Sequence, residues 1–168
     1  MKVNLKIILI LFAIYSCNDR NEKYTNDMEN IDGWFHHEQI KNGFANSGNY
    51  YCITTEEKPY SITFRKKINK FKEGEKINKI SVSAWVMFTN KECQASLVAS
   101  IDSSDNFIPV VYTNTNLTSQ SAELKKWVEL KLDLNIPNNI DRNFFVSIYV
   151  KNTGKFPVLV DDISYSLK

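Results

Sequence analysis

The side chains best suited to nucleophilic or metal chemistry in this 168-residue chain are two neighbouring histidines, His36 and His37, and three cysteines, Cys17, Cys52 and Cys93. Consecutive residues of an extended segment point to opposite faces, so the two imidazoles diverge and do not easily share one metal ion. A cysteine nucleophile needs a histidine beside it, and no spacing in the chain supports such a pair. There is no Gly-x-Ser-x-Gly elbow and no glycine-rich phosphate loop. Carboxylate pairs that hydrolyse glycosides are defined by a spatial separation that a sequence does not give. The acidic group Asp102-Ser103-Ser104-Asp105-Asn106 lacks the glycine and the later glutamate of a calcium-binding loop and reads as a plain turn. These absences point away from an enzyme and towards a binding protein.

Charge narrows the partner. The net charge of +2 includes Lys2 and Lys6, so the rest of the chain is close to neutral. Nucleic-acid binding rests on clustered, uncompensated Lys and Arg, which argues against such a partner. One basic cluster stands out: Arg65, Lys66, Lys67, Lys70, Lys72, Lys76 and Lys79, broken by Glu73 and Glu75. It reads as a solvated loop and strand edge in preference to a phosphate-binding patch.

The elements that must position any site are strands. Tyr60, Ile62 and Phe64 alternate with Ser61, Thr63 and Arg65; Ile80, Val82, Ala84, Val86 and Phe88 alternate with Ser81, Ser83, Trp85 and Met87. Leu97, Ala99 and Ile101 repeat the pattern, as do Val128 to Leu134, Phe144 to Val150 and a last run from Val158 to Leu167. This two-residue period is that of a sheet with one buried face. Turn chemistry separates the runs at Glu73-Gly74, Pro137-Asn138-Asn139 and Asn152-Thr153-Gly154-Lys155, and Ser119 to Lys126 reads as a loop. Short strands without covering helices predict an all-β fold, an antiparallel β-sandwich, with an up-and-down barrel as second choice. Residues 27–168 suit one domain of this kind. Cys52 and Cys93 fit either one bridge in an exported protein or two buried free thiols.

The N-terminus is a targeting segment by pattern: Lys2 and Lys6, an apolar run from Ile7 to Tyr15, then Ser16. The run supplies roughly half of the about twenty apolar residues that span a bilayer, so residues 1–16 read as a cleaved signal peptide. Ile14-Tyr15-Ser16-Cys17 resembles a bacterial lipobox, whose cysteine becomes the lipidated first residue. That resemblance implies acyl chains, palmitate among them, on Cys17, with residues 17–26 as a lipidated tether. Acyl chains contribute about 0.8 kcal/mol per buried methylene, so several of them hold a protein at a membrane almost permanently. The alternative is an ordinary cleaved signal with Cys17 its chance neighbour.

A further resemblance rests on the order of motifs. Asn26-Asp27-Met28-Glu29 precedes Trp34, then Ala45-Asn46-Ser47-Gly48 and Ser81-Val82-Ser83-Ala84-Trp85-Val86. Leu97 to Ile101, Trp127, Ile148-Tyr149-Val150-Lys151-Asn152 and Val160-Asp161-Asp162-Ile163 follow. Together these resemble the galactose-binding-like jelly rolls, in particular the carbohydrate-binding modules of bacterial glycan-degrading systems. The resemblance implies a structural calcium ion near the chain ends, mapped here to Glu29, Ser47, Gly48 and Asp162, with Asp161 as competitor. Calcium takes six to eight hard oxygens, which carboxylates and carbonyls provide. Simple hydrogen bonding of Asp161 and Asp162 at a strand end is the alternative, and by alternation only one of the two points inward.

The resemblance also implies a sugar-binding face. Sugars stack their C–H patches on aromatic rings and need polar partners for their hydroxyls. Alternation places Trp85, Tyr149 and Phe145, with Met87 and Trp127, opposite the aliphatic positions of their strands, where they form either an outer platform or a satellite core under loops. Asn152, Asp102 and Lys151 would supply polar contacts, and Trp34 would line a loop above the face. Trp127 suits a strand anchor better than a ligand contact. The expected function is a lipid-anchored, non-catalytic glycan-binding protein of the bacterial cell envelope, at the outer membrane. The alternative is a jelly-roll accessory subunit that binds a protein of an outer-membrane complex.

Overall fold

The structure is a computed structural model that describes residues 23–71, 76–103, 108–116 and 123–168. The targeting segment with Cys17, the turn at Glu73-Gly74, the acidic stretch from Ser104 to Asn106 and the first part of the loop at Ser119 lie outside the described residues. Eleven strands are described: β1 (Lys23–Asn26), β2 (Trp34–Phe35), β3 (Ile40–Asn42), β4 (Tyr50–Thr54), β5 (Thr63–Lys67) and β6 (Lys79–Phe88). They continue with β7 (Ala95–Asp102), β8 (Pro109–Asn116), β9 (Trp127–Asn135), β10 (Phe145–Asn152) and β11 (Val158–Leu167). The only helical pieces among the described residues are two 3-10 turns, His37–Gln39 and Ile68–Lys70.

The strands form two antiparallel sheets packed as a jelly-roll-like sandwich. A six-stranded sheet runs β3-β4-β11-β6-β9, with β1 also on β11; a five-stranded sheet runs β2-β5-β10-β7-β8. The predicted inward rows are found on β6, β7 and β10. Ile80, Val82, Ala84, Val86 and Phe88 of β6 are all buried, and so are Leu97, Ala99 and Ile101 of β7 and Val146, Ile148 and Val150 of β10. These side chains fill the gap between the sheets, and the Val, Leu, Ile and Phe among them contribute about 1.5–3 kcal/mol each on burial.

Three departures from strict alternation position the functional groups. On β11 the inward set is Val158 and Val160 and then Ile163, Tyr165 and Leu167, a slip of one residue absorbed by a bulge between Asp161 and Ser164 where Asp162 takes φ +46°. Before β5, Ser61 and Ile62 are both buried. Ser61 donates its N–H to the carbonyl of Val150 (2.9 Å), and its hydroxyl accepts the N–H of Val150 (2.8 Å). Tyr60, expected to point inward with Ile62 and Phe64, is therefore turned outward and 40% exposed. On β7 the outward residues Val98, Ser100 and Asp102 are also buried, so the outer face of this strand is sunk below its neighbours.

Candidate functional site

The sunken strand is the floor of a groove of about 290 Å³ on the outer face of the five-stranded sheet. Tyr149 on β10 lies directly across from Val98 on β7, and Ser147 lies between Arg65 on β5 and Ser100 on β7. The carboxylate of Asp102 accepts hydrogen bonds from the hydroxyls of Ser100 (2.8 Å) and Ser147, which compensate its loss of water. Tyr60 meets Tyr149 edge to face with ring centroids 5.6 Å apart. Tyr112, across from Ser100 on the edge strand β8, is 49% exposed at the rim. At one end the guanidinium carbon of Arg65 sits 3.8 Å from the centre of the Phe145 ring. His36, at φ +68°, lines the opening with Thr63 and Pro109.

Burial pushes the Tyr149 phenol up to about 12, helped by Tyr112, the Asp102 carboxylate and Tyr60. The phenol is therefore a neutral donor and acceptor at physiological pH. Rings with exposed faces stand beside fixed hydroxyls and a carboxylate, an arrangement able to hold a ligand that is apolar on its flats and polar at its rim.

Of the residues expected to bind a ligand, Tyr149, Phe145 and Asp102 come together here. Trp85 does not. It lies on β6 of the six-stranded sheet, across from Asp161 and Glu129, and its outward direction is the opposite face of the molecule. Met87 and Trp127 pair with each other on that same sheet. Alternation separates inside from outside but does not say which of two sheets a strand joins, and the single platform expected from these rings is corrected accordingly. Asn152 is 2% exposed and closes its own turn, donating to the carbonyls of Thr54 (3.2 Å) and Phe156 (2.9 Å) and accepting the N–H of Gly154 (2.9 Å). It has no reach to a ligand. Trp34 packs inward, 5.3 Å from the Phe64 ring, against the main core. Tyr60, Tyr112, Arg65, Ser100, Ser147 and His36 are groove residues that the sequence reading did not select. Tyr60 was hidden by the phase break at Ser61, for which Pro59 was the one signal, and Tyr112 by the unread strand β8.

The residues implied for a cation gather at a seam between the 43–50 loop and β11. Asp161 accepts the N–H groups of Asn46 (2.7 Å) and Ser47 (3.1 Å) on one oxygen and that of Asp162 (2.8 Å) on the other. Asp162 accepts the Asn46 side-chain amide and the Ser47 hydroxyl, each at 2.7 Å. The bulge thus lets both aspartates reach the same loop, where alternation alone allowed one. Glu29 accepts the N–H groups of Asn49 and Tyr50 at the far end of the loop, and Gly48, at φ +60°, takes a left-handed conformation in which a Cβ would press on the Glu29 carboxylate. Full burial pushes Asp161 up to about 6 despite its amide donors. Among the described residues no three acidic, histidine or cysteine side chains group closely enough to hold a metal ion. The oxygens a cation would use already accept hydrogen bonds, so as arranged the donor set does not form a ready cage.

Cys52 and Cys93 are both buried free thiols. Burial pushes Cys52 up to about 12, and it donates weakly to Gln39 (3.7 Å), as an inert core residue does.

No protein-family model and no curated protein matches the chain. Solved structures do. The CBM22-1 xylan-binding domain of Paenibacillus barcinonensis Xyn10C is similar at a TM-score of 0.55 and 14% identity, over 86% of this chain and 92% of that one. The CBM22-2 domain of the same protein gives 0.56 and 15%, over 86% and 99%. The C-terminal family 22 carbohydrate binding module of Clostridium thermocellum Xyn10B gives 0.54 and 12%, over 86% and 91%. At this identity the likeness is one of fold.

Proposed function

We propose that this protein is a non-catalytic glycan-binding module of the bacterial cell envelope, and that a polysaccharide lies in the groove lined by Tyr149 and Tyr60. The observation that carries the reading is the placement of a part-buried tyrosine pair beside Ser100, Ser147 and Asp102 on a sunken outer face. A sugar ring stacks on such a phenol while its hydroxyls reach the polar wall. The fold it shares with modules named for xylan binding supports this and makes xylan the first probe. Retention of the protein in affinity gels cast with xylan and other polysaccharides, lost in Tyr149→Ala, is expected. Migration unchanged by every polysaccharide would refute the reading.

The membrane anchor is proposed on the N-terminal pattern, with a thioether-linked lipid at Cys17 and a position at the outer membrane. Metabolic labelling with a palmitate analogue, lost in Cys17→Ala, tests it. A calcium ion is proposed at the seam only in exchange for the hydrogen bonds described there, with Glu29, Asp162 and loop oxygens of Ser47 and Gly48 as ligands and Asp161 in competition. A ligand that binds only the folded state raises its stability by mass action, so chelation would lower the melting temperature, and an unchanged melt removes the ion. The second reading, an accessory subunit for an outer-membrane protein, is favoured by the exposed Ile108, Val110 and Tyr112 on and beside the edge strand β8. Cross-linking in cells would capture that partner.

A further inference from the structure

The two ends of the sandwich differ in charge. β1 begins at Lys23, across from Ser166 near the close of β11, and β6 begins beside Leu167, so both start at one end. The five-stranded sheet reaches that end where β5 runs out into the turn Ile68–Lys70, whose Ile68 and Asn69 N–H groups donate to the carbonyls of Phe144 (3.0 Å) and Arg142 (2.9 Å). Phe71 packs between the sheets there. Its ring meets Tyr165 edge on at 5.8 Å, Tyr165 stacks on Tyr24 at 4.9 Å, and Tyr24 is 41% exposed. Lys66 sets its ammonium 5.4 Å from the Phe71 ring, and Lys23, Lys70 and Lys76 are exposed at the same end. Among the described residues none of these four lysines has an ion-pair partner. The connecting turn adds Lys72 against Glu73 and Glu75, which leaves lysine in excess. At the opposite end, where β4 and β6 finish beside Val158, the signs are interleaved: Lys58 follows Glu56 and Glu57, Lys91 precedes Glu92, and Lys126 pairs with Glu123.

We propose that the basic end docks on a membrane surface, with Lys23, Lys66, Lys70 and Lys76 binding the phosphates of anionic phospholipids and Tyr24 at headgroup level. The inference rests on the anchor reading above and names the face that the anchored domain turns to its membrane. Only residues 18–22 separate Cys17 from Lys23, a reach of about 20 Å at full extension. The opposite end lies the length of β11 farther out, about 30 Å for its ten residues. The tether therefore delivers the lysine-rich end, and not the balanced one, to the headgroups. A negative leaflet attracts each lysine near it by about fivefold in the docking equilibrium, over a range set by salt. A tyrosine with an apolar ring and a polar tip suits the boundary between lipid and water. Docked this way, the strands stand away from the bilayer and the groove opens to the side, clear of the lipid.

The experiment labels lysines with an amine-reactive reagent on the protein purified from cells, with whatever Cys17 carries, in vesicles of phosphatidylcholine alone or mixed with phosphatidylglycerol. Peptide mass spectrometry reads each site. Lys23, Lys66, Lys70 and Lys76 are expected to be shielded severalfold in the anionic vesicles only, and added salt to restore their reactivity, while Lys58, Lys91 and Lys155 react alike throughout. Lys70→Gln and Lys76→Gln, both at exposed positions, should each lower the ratio of docked to undocked protein about fivefold, read at Lys23 and Lys66. Equal labelling of the two ends on anionic vesicles overturns the proposal, and the anchor reading survives if the protein still floats with phosphatidylcholine. Equal shielding on both vesicles overturns it as proximity imposed by the tether alone. Shielding of the same lysines by inorganic phosphate without vesicles overturns it in favour of a small-anion site. A protein that floats with anionic vesicles but not with phosphatidylcholine fails the anchor reading and upholds the docking surface, and one that floats with neither fails both.

Discussion

The two outer faces of the sandwich are built from the same alternating strands yet differ in depth and in what they do with polar groups. On the six-stranded sheet, Ser81, Ser83, Ser164 and Ser166 line an open depression of about 600 Å³ whose walls are ion pairs and whose Ser83 and Ser164 hydroxyls bond to each other. On the five-stranded sheet a smaller groove has a floor of Ser100, Asp102 and Ser147 and walls that include Tyr60 and Tyr149. On the six-stranded side the Ser83 and Ser164 hydroxyls satisfy each other and the charged walls are paired. Rings left part-exposed beside a desolvated polar cluster make a face that can still gain by covering.

This contrast can be broken by matched substitutions. A charge placed on the sunken strand beneath Tyr112 and Tyr149, Val98→Asp, is expected to cost about 3–5 kcal/mol, as an unpaired buried ion does. Ser166→Asp on the other face, beside Lys23, should stay within about 0.5 kcal/mol. Equal costs in denaturant unfolding would mean that the two faces are alike. Removing Asp102 as Asp102→Ala orphans two buried hydroxyls and is expected to cost about 1–3 kcal/mol. Asp133→Ala removes a half-exposed ion pair and should cost less than about 1 kcal/mol.

Alkaline pH sharpens the same distinction. The phenols of Tyr149 and Tyr165 are raised by burial from 10 to about 12, so on unfolding they ionise first and the unfolded chain loses its protons earlier. Stability from these groups is complete below about pH 10 and is lost as pH rises to about 12, which melts taken across that range will show. Tyr149→Phe should flatten part of the decline. A smaller effect concerns fluorescence. No tryptophan lines the groove, so a bound glycan should leave tryptophan emission nearly constant; a large change would place the ligand near Trp85 on the opposite face.

How much was legible beforehand follows from what a two-residue period can express. It located the buried rows of β6, β7 and β10 and, with the turn signals, the antiparallel sandwich. It did not express phase breaks. Ser61 bonded on both sides to Val150 and the bulge at Asp162 each shift the pattern by one residue, and each shift carries functional groups: Tyr60 to the groove, two carboxylates to the seam. Nor does the period name the sheet to which a strand belongs, which is why Trp85 and Tyr149 seemed to share a platform. Pro109 to Asn116, where Thr and Asn alternate without an apolar inner row, is a half-wet edge strand and lacks the pattern altogether. The sunken floor is a property of three neighbouring strands and has no signature in any one of them.

The measurement closest to the central claim is polysaccharide affinity in Tyr149→Ala and Trp85→Ala side by side. Loss of a ring at the centre of a contact typically weakens binding by about 2 kcal/mol or more, roughly thirtyfold. The account predicts that loss for Tyr149→Ala and wild-type affinity for Trp85→Ala. Retained binding in the first and loss in the second would move the site to the other sheet and contradict it.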